Sequence, residues 1–127
     1  MKNLPAWFFT TGAIFALIGM VWGIQMSATH DHLLAAAHGH LNLIGFVAMS
    51  IFGTYYALTP QAAMARLARF HFGLTVATVL ILTPGIAMAI TGMNEAFAQV
   101  GSILAVLSMA LFVFVVQLYG VGKVSED

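Results

Sequence analysis

The sequence predicts an all-α membrane protein with four transmembrane helices. Of its 127 residues, 61% are hydrophobic and 6% are charged, whereas soluble domains carry about 25% charged residues. Four apolar stretches, at about residues 5–26, 34–58, 70–91 and 97–120, each approach the ~20 residues that cross a ~30 Å hydrocarbon core. We therefore expect residues 1–127 to form a single four-helix transmembrane domain.

The positions of the charged residues predict the topology. The cationic residues lie at the two ends of the chain and between the second and third spans. They are Lys2, Arg66, Arg69 and Lys123. The other two connections carry the acidic residues Asp31 and Glu95. Because cytoplasmic loops are enriched in Lys and Arg, both termini are expected in the cytoplasm of a bacterium, with the protein multi-pass in its inner membrane.

The first span allows a second interpretation. Lys2 followed by an apolar run also fits a cleaved signal peptide, but the three spans that follow favour a retained helix.

Thr59-Pro60 is expected to end span two, because the residue before a proline is disfavoured in the helical region. Pro84 lies inside span three, where the missing amide permits a kink.

Composition excludes several classes of function. A net charge of zero provides no basic surface for nucleic acid, so no nucleic-acid partner is expected. Cysteine is absent, which excludes disulfides, thiolate metal sites and iron–sulfur clusters. Any metal must be held mainly by imidazole or thioether groups.

Five histidines in a chain with four basic and four acidic residues are the candidate functional residues. An ionisable side chain in a membrane span is by default a functional-site hypothesis, because hydrocarbon offers no water to satisfy it. His38 and His40 open span two and, at about 100° per residue, project about 200° apart. They therefore suit two different partners. Polar surface residues bonded to water are the alternative, but Asn42 in the same turn favours ligation, with Asn42 as an outer partner of an imidazole.

The remaining histidines are weaker candidates. His30 and His32 bring the number of imidazoles between residues 30 and 40 to four, a density that suits zinc, copper or nickel, although a solvated turn explains them equally. His71 begins span three on the opposite side of the membrane, ~30 Å from the His38–His40 pair. It is expected either to pack at the interface against a backbone carbonyl or to ligate a separate cytoplasmic-side site.

One segment of the chain resembles a known family. The matching residues are His38 and His40, Gly45, Phe46, Gly53, Tyr56, Pro60, and His71-Phe72. This frame, residues 38–72, is similar to the tenth and eleventh helices of the catalytic subunit of C-family heme-copper oxidases and the related nitric oxide reductases. The resemblance implies that His38 is the axial ligand of a high-spin heme and that His40 ligates a low-spin heme.

The resemblance also implies an assembly. The family's catalytic subunit contains three arcs of four helices, and this chain has the length of one arc, so a homotrimer is expected. The adjacent His-His pair of the copper site and the glutamates that bind non-heme iron have no counterpart here. No enzymatic activity therefore follows from the resemblance.

Two function hypotheses follow. The first is a membrane b-type cytochrome that binds heme b through His38 and His40 for electron transfer or diatomic-gas chemistry, with an electron donor that the sequence does not name. The alternative is a heme-free copper or zinc handling or assembly protein that uses the external histidines, His30 and His32 included. A purely structural subunit is a third interpretation.

The topology can be tested with reporter fusions. Fusions at Asp127 and near Arg66 should both report the cytoplasm, and a fusion near Asp31 should report the periplasm, because the cationic residues lie on one side. The opposite pattern would place the His38–His40 pair on the cytoplasmic side.

Overall fold

Four long helices make up most of residues 3–125, the part of the chain that the structure, a computed structural model, describes. They are α1 (Leu4–Thr29), α2 (Ala35–Leu58), α4 (Arg66–Ile90) and α5 (Ala96–Tyr119), with a short helix α3 (Pro60–Ala63) after α2. The four long helices have mean hydropathies of 1.5 to 2.4 and are long enough to cross a membrane. This confirms the prediction of four apolar spans in an all-helical chain.

A tight turn joins α1 to α2. His30 ends α1 in the left-handed conformation, with φ of 56°, a common way to stop a helix. The Asp31 carboxylate then accepts a 3.0 Å hydrogen bond from the amide of Leu33, which is an Asx-type turn. The chain therefore reverses within a few residues, and α2 begins immediately beyond the His30–His32 segment.

A π-helical segment, Leu43–Ala48, interrupts the α-helical pattern of α2. It follows the turn that carries His38, His40 and Asn42. Such segments insert an extra residue into a helix and are found frequently at functional sites. Because of this extra residue, the side chains after Met49 point in different directions from those that an uninterrupted α-helix would give them relative to the histidine turn.

Prolines divide α2 from α3 but do not end α4. Thr59, the residue before Pro60, lies outside the helical region with ψ of 73°, and α2 ends at Leu58 as predicted. Pro84 lies inside α4, which continues to Ile90. Its exposed position puts the ring on the surface of the bundle, where it displaces no core side chain.

Glycines bring α1 and α2 close together. A Cβ atom at Gly45 would lie 3.0 Å from Cβ of Phe15, and one at Gly53 would lie 3.0 Å from Cβ of Phe8. A Cβ atom at Gly12 would lie 3.2 Å from Cβ of Met49. Small residues allow such close approach between membrane helices, so these glycines let α1 and α2 pack closely.

The most extensive helix contact joins α4 to α5. A Cβ atom at Gly101 would lie 2.6 Å from Cα of Leu82, and one at Gly85 would lie 2.6 Å from the amide nitrogen of Ala98. Neither position has room for a side chain without movement of the backbone. The two helices are therefore in direct backbone contact.

One end of the bundle gathers Leu4, α3 and the segment that follows α5. Tyr55 donates a 2.7 Å hydrogen bond to the Gly120 carbonyl, and the Gln61 amide donates a 2.8 Å bond to the Gly122 carbonyl. Arg66, Arg69 and Lys123 belong to this end, whereas Lys2 lies outside the described residues. The opposite end carries the α1–α2 turn and the α4–α5 turn with their acidic residues.

The α4–α5 contact predicts a difference between two glycines. Gly101→Ala should lower the free energy of unfolding by about 1–3 kcal/mol, because it overpacks a backbone contact. Gly73→Ala is the matched control: it lies in α4 and its Cβ atom would meet nothing within 4 Å. It should leave stability unchanged or raise it by up to ~1 kcal/mol. Denaturant unfolding in detergent measures both, and equal effects would contradict the packing described.

Candidate functional site

His38 lies at the interface between α1 and α2. Its Nε2 atom is 2.8 Å from the carbonyl oxygen of Gly19. A carbonyl oxygen only accepts, so Nε2 carries the proton and donates it. The ring also packs edge-on against Trp22, with ring centroids 5.6 Å apart. His38 therefore joins the two helices through one ring nitrogen, which leaves Nδ1 as its lone-pair nitrogen.

Asn42 lies one turn beyond His38 on the same face of α2. Its side-chain amide donates a 2.8 Å hydrogen bond to the His38 carbonyl and lies 3.3 Å from His38 Nε2. Because that nitrogen uses its proton toward Gly19, it has no lone pair to accept from the amide. The Asn42 side chain fills the space that the missing Cβ of Gly19 leaves. The structure thus places Asn42 beside His38 rather than His40.

His40 has the opposite environment. Its side chain is exposed, and Nδ1 donates a 2.7 Å hydrogen bond to the carbonyl of Ala36, one turn earlier. Within residues 3–125, Nε2 of His40 makes no hydrogen bond. This is the arrangement in which histidine binds metals, because the outer bond to a carbonyl fixes the tautomer and the ring orientation. His38 and His40 face different surroundings, as the spacing predicts.

An exposed apolar surface continues from His40 along α2. The side chains of Leu43 and Ile51 are 59% and 55% exposed, and those of Phe46 and Val47 are both 42% exposed. A flat apolar macrocycle whose iron is bound by His40 would lie against this surface. The residues present therefore fit one face of a heme, and the other face requires cover from outside the chain.

The loop histidines are not brought together with other ligands. His30 and His32 are both exposed, and the carboxylate between them, Asp31, accepts from the Leu33 amide. Residues 3–125 contain no group of three or more His, Asp or Glu side chains that could hold a metal ion.

His71 lies at the other end of the bundle and is fully buried. Its Nδ1 atom is 2.9 Å from the hydroxyl of Tyr56. Phe52 and Phe112 pack on the ring with centroids 4.5 and 5.9 Å away, and Phe8 lies 5.9 Å away. All four long helices therefore meet at His71. Its Nδ1 atom bonds to a side chain inside the core, whereas we expected a bond to a backbone carbonyl at the membrane interface.

Two hydroxyls extend this buried group, which we call the His71 cluster (Tyr56, His71, Thr75 and Ser108). Thr75 donates to the His71 carbonyl at 2.8 Å, and its Oγ1 atom lies 2.8 Å from that of Ser108. Because Thr75 uses its proton toward the carbonyl, Ser108 donates to Thr75. Nε2 of His71 has no hydrogen-bond partner of good geometry within the described residues.

This cluster was not predicted from the sequence. A signal for it exists in α4. Its buried residues fall mostly three or four positions apart and include four polar side chains, His71, Thr75, Thr78 and Thr83. A polar stripe at helical spacing within an apolar span indicates a buried face rather than a lipid-facing one.

The Tyr56–His71 hydrogen bond predicts coupled effects on stability. Tyr56→Phe should lower the free energy of unfolding by about 1–3 kcal/mol, because Nδ1 of His71 loses its partner in a buried site. His71→Leu should also destabilise, since it leaves the Tyr56 hydroxyl unpaired. The double variant should lose about 1 kcal/mol less than the sum of the single losses, measured by unfolding in detergent. Strictly additive losses would contradict the bond.

No family model, no curated protein and no solved structure matches this chain.

Proposed function

We propose that the protein is a membrane b-type cytochrome in which His40 is an axial ligand of heme b. The observation that supports this proposal is the state of the His40 ring. The ring is exposed, Nδ1 is bonded to the Ala36 carbonyl, and Nε2 has a lone pair with no partner among residues 3–125. Neutral imidazole is a common metal ligand and a common axial ligand of heme iron.

Each part of the exposed α2 surface has a role in this proposal. The Ala36 carbonyl orients the imidazole and raises its basicity. Leu43 and Val47 offer apolar contact to a porphyrin and exclude water from its face, which also tunes its redox potential. When bound, heme b supplies one-electron chemistry or a site for a diatomic gas.

A single chain covers one face of such a heme, so the proposal includes a second copy. The homotrimer of single arcs is the assembly that the resemblance implies, and it would put a neighbouring chain against the exposed α2 surface. If that neighbour contributes His38, the ligating atom is Nδ1, because Nε2 donates to Gly19. With His38 of a neighbouring copy as the sixth ligand, the iron would be bis-histidine and low-spin. Without it, the iron would be five-coordinate and would bind carbon monoxide.

Heme-free handling of copper or zinc by the external histidines is the alternative hypothesis. The two hypotheses predict different absorption spectra for the purified protein. A purified protein with a Soret band and reduced α band supports heme b, whereas a colourless preparation with stoichiometric copper or zinc supports the alternative. A colourless, metal-free preparation supports the structural-subunit interpretation.

Histidine variants test the assignment of the ligand. His40→Ala should abolish the heme spectrum, because it removes the ligand itself. His38→Ala should either abolish it or convert a low-spin heme to a high-spin form that binds carbon monoxide. His71→Ala is the control: it lies at the other end of the bundle and should leave the spectrum of the folded fraction unchanged. Absorption spectra with and without dithionite measure all three.

Full heme occupancy with an unchanged spectrum in both the His38 and His40 variants would refute the proposed ligands. Wild-type-like folding of the His40 variant, shown by its gel-filtration profile, separates loss of a ligand from loss of the fold.

A further inference from the structure

Tyr56 is a buried phenol whose hydroxyl group faces a base. The side chain is fully buried, and its hydroxyl lies 2.9 Å from Nδ1 of His71. If Nδ1 carried the proton, the Tyr56 O–H and Nε2 of His71 would both lack a partner within residues 3–125. Donation by Tyr56 leaves only the Nε2 proton unpaired. Because buried polar groups are seldom left unpaired, Tyr56 donates and Nδ1 accepts.

The neighbouring phenol, Tyr55, provides a contrast. It is also buried, but its hydroxyl donates a 2.7 Å hydrogen bond to the carbonyl oxygen of Gly120. A peptide carbonyl is too weak a base to take a proton, whereas a neutral imidazole takes one readily. Two adjacent tyrosines therefore differ in one property: only Tyr56 has a base in place to receive its hydroxyl proton.

The surroundings of His71 suit a positively charged ring. The ring centroids of Phe52, Phe8 and Phe112 lie 4.5, 5.9 and 5.9 Å from that of His71. Aromatic rings attract a cation that lies within about 6 Å of their centroids. An imidazolium is otherwise costly in a membrane span, so this aromatic shell lowers the cost of a proton on His71.

A row of aromatic rings joins Tyr56 to the surface of the bundle. Trp7 is 47% exposed, and its ring lies 5.7 Å from that of Phe72. Phe72 lies 5.1 Å from Phe8, which stacks on Tyr56 at 5.3 Å. Electrons tunnel readily through a series of rings in contact. An electron can therefore leave the buried phenol along this row, while the proton needs to move only to its hydrogen-bond partner.

We infer that Tyr56 is a redox-active tyrosine, which gives one electron to an oxidising radical at the membrane surface while His71 takes its proton. The O–H bond of Tyr56 breaks, the proton moves to Nδ1, and the electron leaves through the row that ends at Trp7. The products are a neutral phenoxyl radical and an imidazolium. Because the row ends at an exposed ring of a membrane helix, the oxidant belongs to the class of lipid peroxyl radicals. The peroxyl radical takes the electron, and a proton from interfacial water, to become a hydroperoxide.

Electron paramagnetic resonance tests the inference. The protein in nanodiscs is illuminated with tris(bipyridine)ruthenium(II) and persulfate, which generate a one-electron oxidant, and is then frozen. We expect a persistent tyrosyl radical in the wild type and in Tyr55→Phe, the matched control, and its loss in Tyr56→Phe. A wild type without this radical, or a radical that is lost in Tyr55→Phe and kept in Tyr56→Phe, would overturn the inference.

The step requires no heme. The radical should form equally in the His40→Ala variant, whose proposed heme ligand is removed. Its presence there, together with an unchanged absorption spectrum of the wild type in the heme assay, would refute the heme proposal alone. Its absence from both proteins would refute the tyrosine alone.

His71 is the positioning residue of this step, and His71→Gln separates its basicity from its hydrogen bond. The side-chain oxygen of glutamine can accept from Tyr56 but does not take the proton. Radical formation should slow by about a hundredfold or more, the lower end of what a positioned base contributes. Thr75→Val is the control, because Thr75 donates to the His71 carbonyl and not to its ring. Equal rates in these two variants, both shown to be folded by gel filtration, would contradict the role of His71.

The two tryptophans of the chain test the electron route. Trp7→Leu interrupts the row of rings and should slow formation of the Tyr56 radical. Trp22→Leu is the matched control, since Trp22 packs against His38 at the opposite end of the bundle, and it should leave the rate unchanged. The same rate in both variants would rule out the route through Trp7.

A second oxidant tests the proposed class of radical. A lipid-soluble azo initiator, which forms peroxyl radicals within the nanodisc, should produce the same tyrosyl signal in the wild type and none in Tyr56→Phe. A signal with the ruthenium oxidant but not with the initiator would overturn the assignment of lipid peroxyl radicals as the oxidant.

Discussion

The close contact between α1 and α2 is the constraint on which the arrangement of the histidines depends. Gly12, Gly45 and Gly53 let the two helices approach until Cβ atoms of one helix lie against the backbone of the other. At that distance the His38 ring reaches the Gly19 carbonyl. The contact fixes the rotation of α2 about its axis, so that His38 faces α1 and His40, two residues later, faces outward. Without it, the His38 ring would lose its partner on α1.

The two ends of the bundle use polar side chains differently. At the His71 cluster, side chains from α2, α4 and α5 satisfy one another within an aromatic shell, and Phe8 of α1 completes that shell. In hydrocarbon such bonds are worth about 0.6–2 kcal/mol each, and their geometry specifies how the helices meet. At the His38 end, the exposed His40 is open to partners. The closed end therefore stabilises the bundle, while the open end carries the candidate heme ligands.

The sequence predicts the number of spans and their approximate limits, because length and hydropathy determine both. It also predicts that His38 and His40 face different surroundings, because a helix rotates by about 100° per residue. It does not predict that His71 meets Tyr56, since that contact depends on how α3 and its turns set the register of α4 against α2. The roles of Trp22 and Gly19 depend likewise on the distance between two helices, which hydropathy does not specify.

We propose that the outward-facing His40 binds heme b between copies of the chain. Native mass spectrometry of the protein released from nanodiscs tests it most directly, because one spectrum gives the number of chains and the number of hemes. We expect a trimer that carries heme in whole-number stoichiometry and loses it in the His40→Ala variant while remaining a trimer. A monomer without heme, from a preparation that retains its helical content, would contradict it.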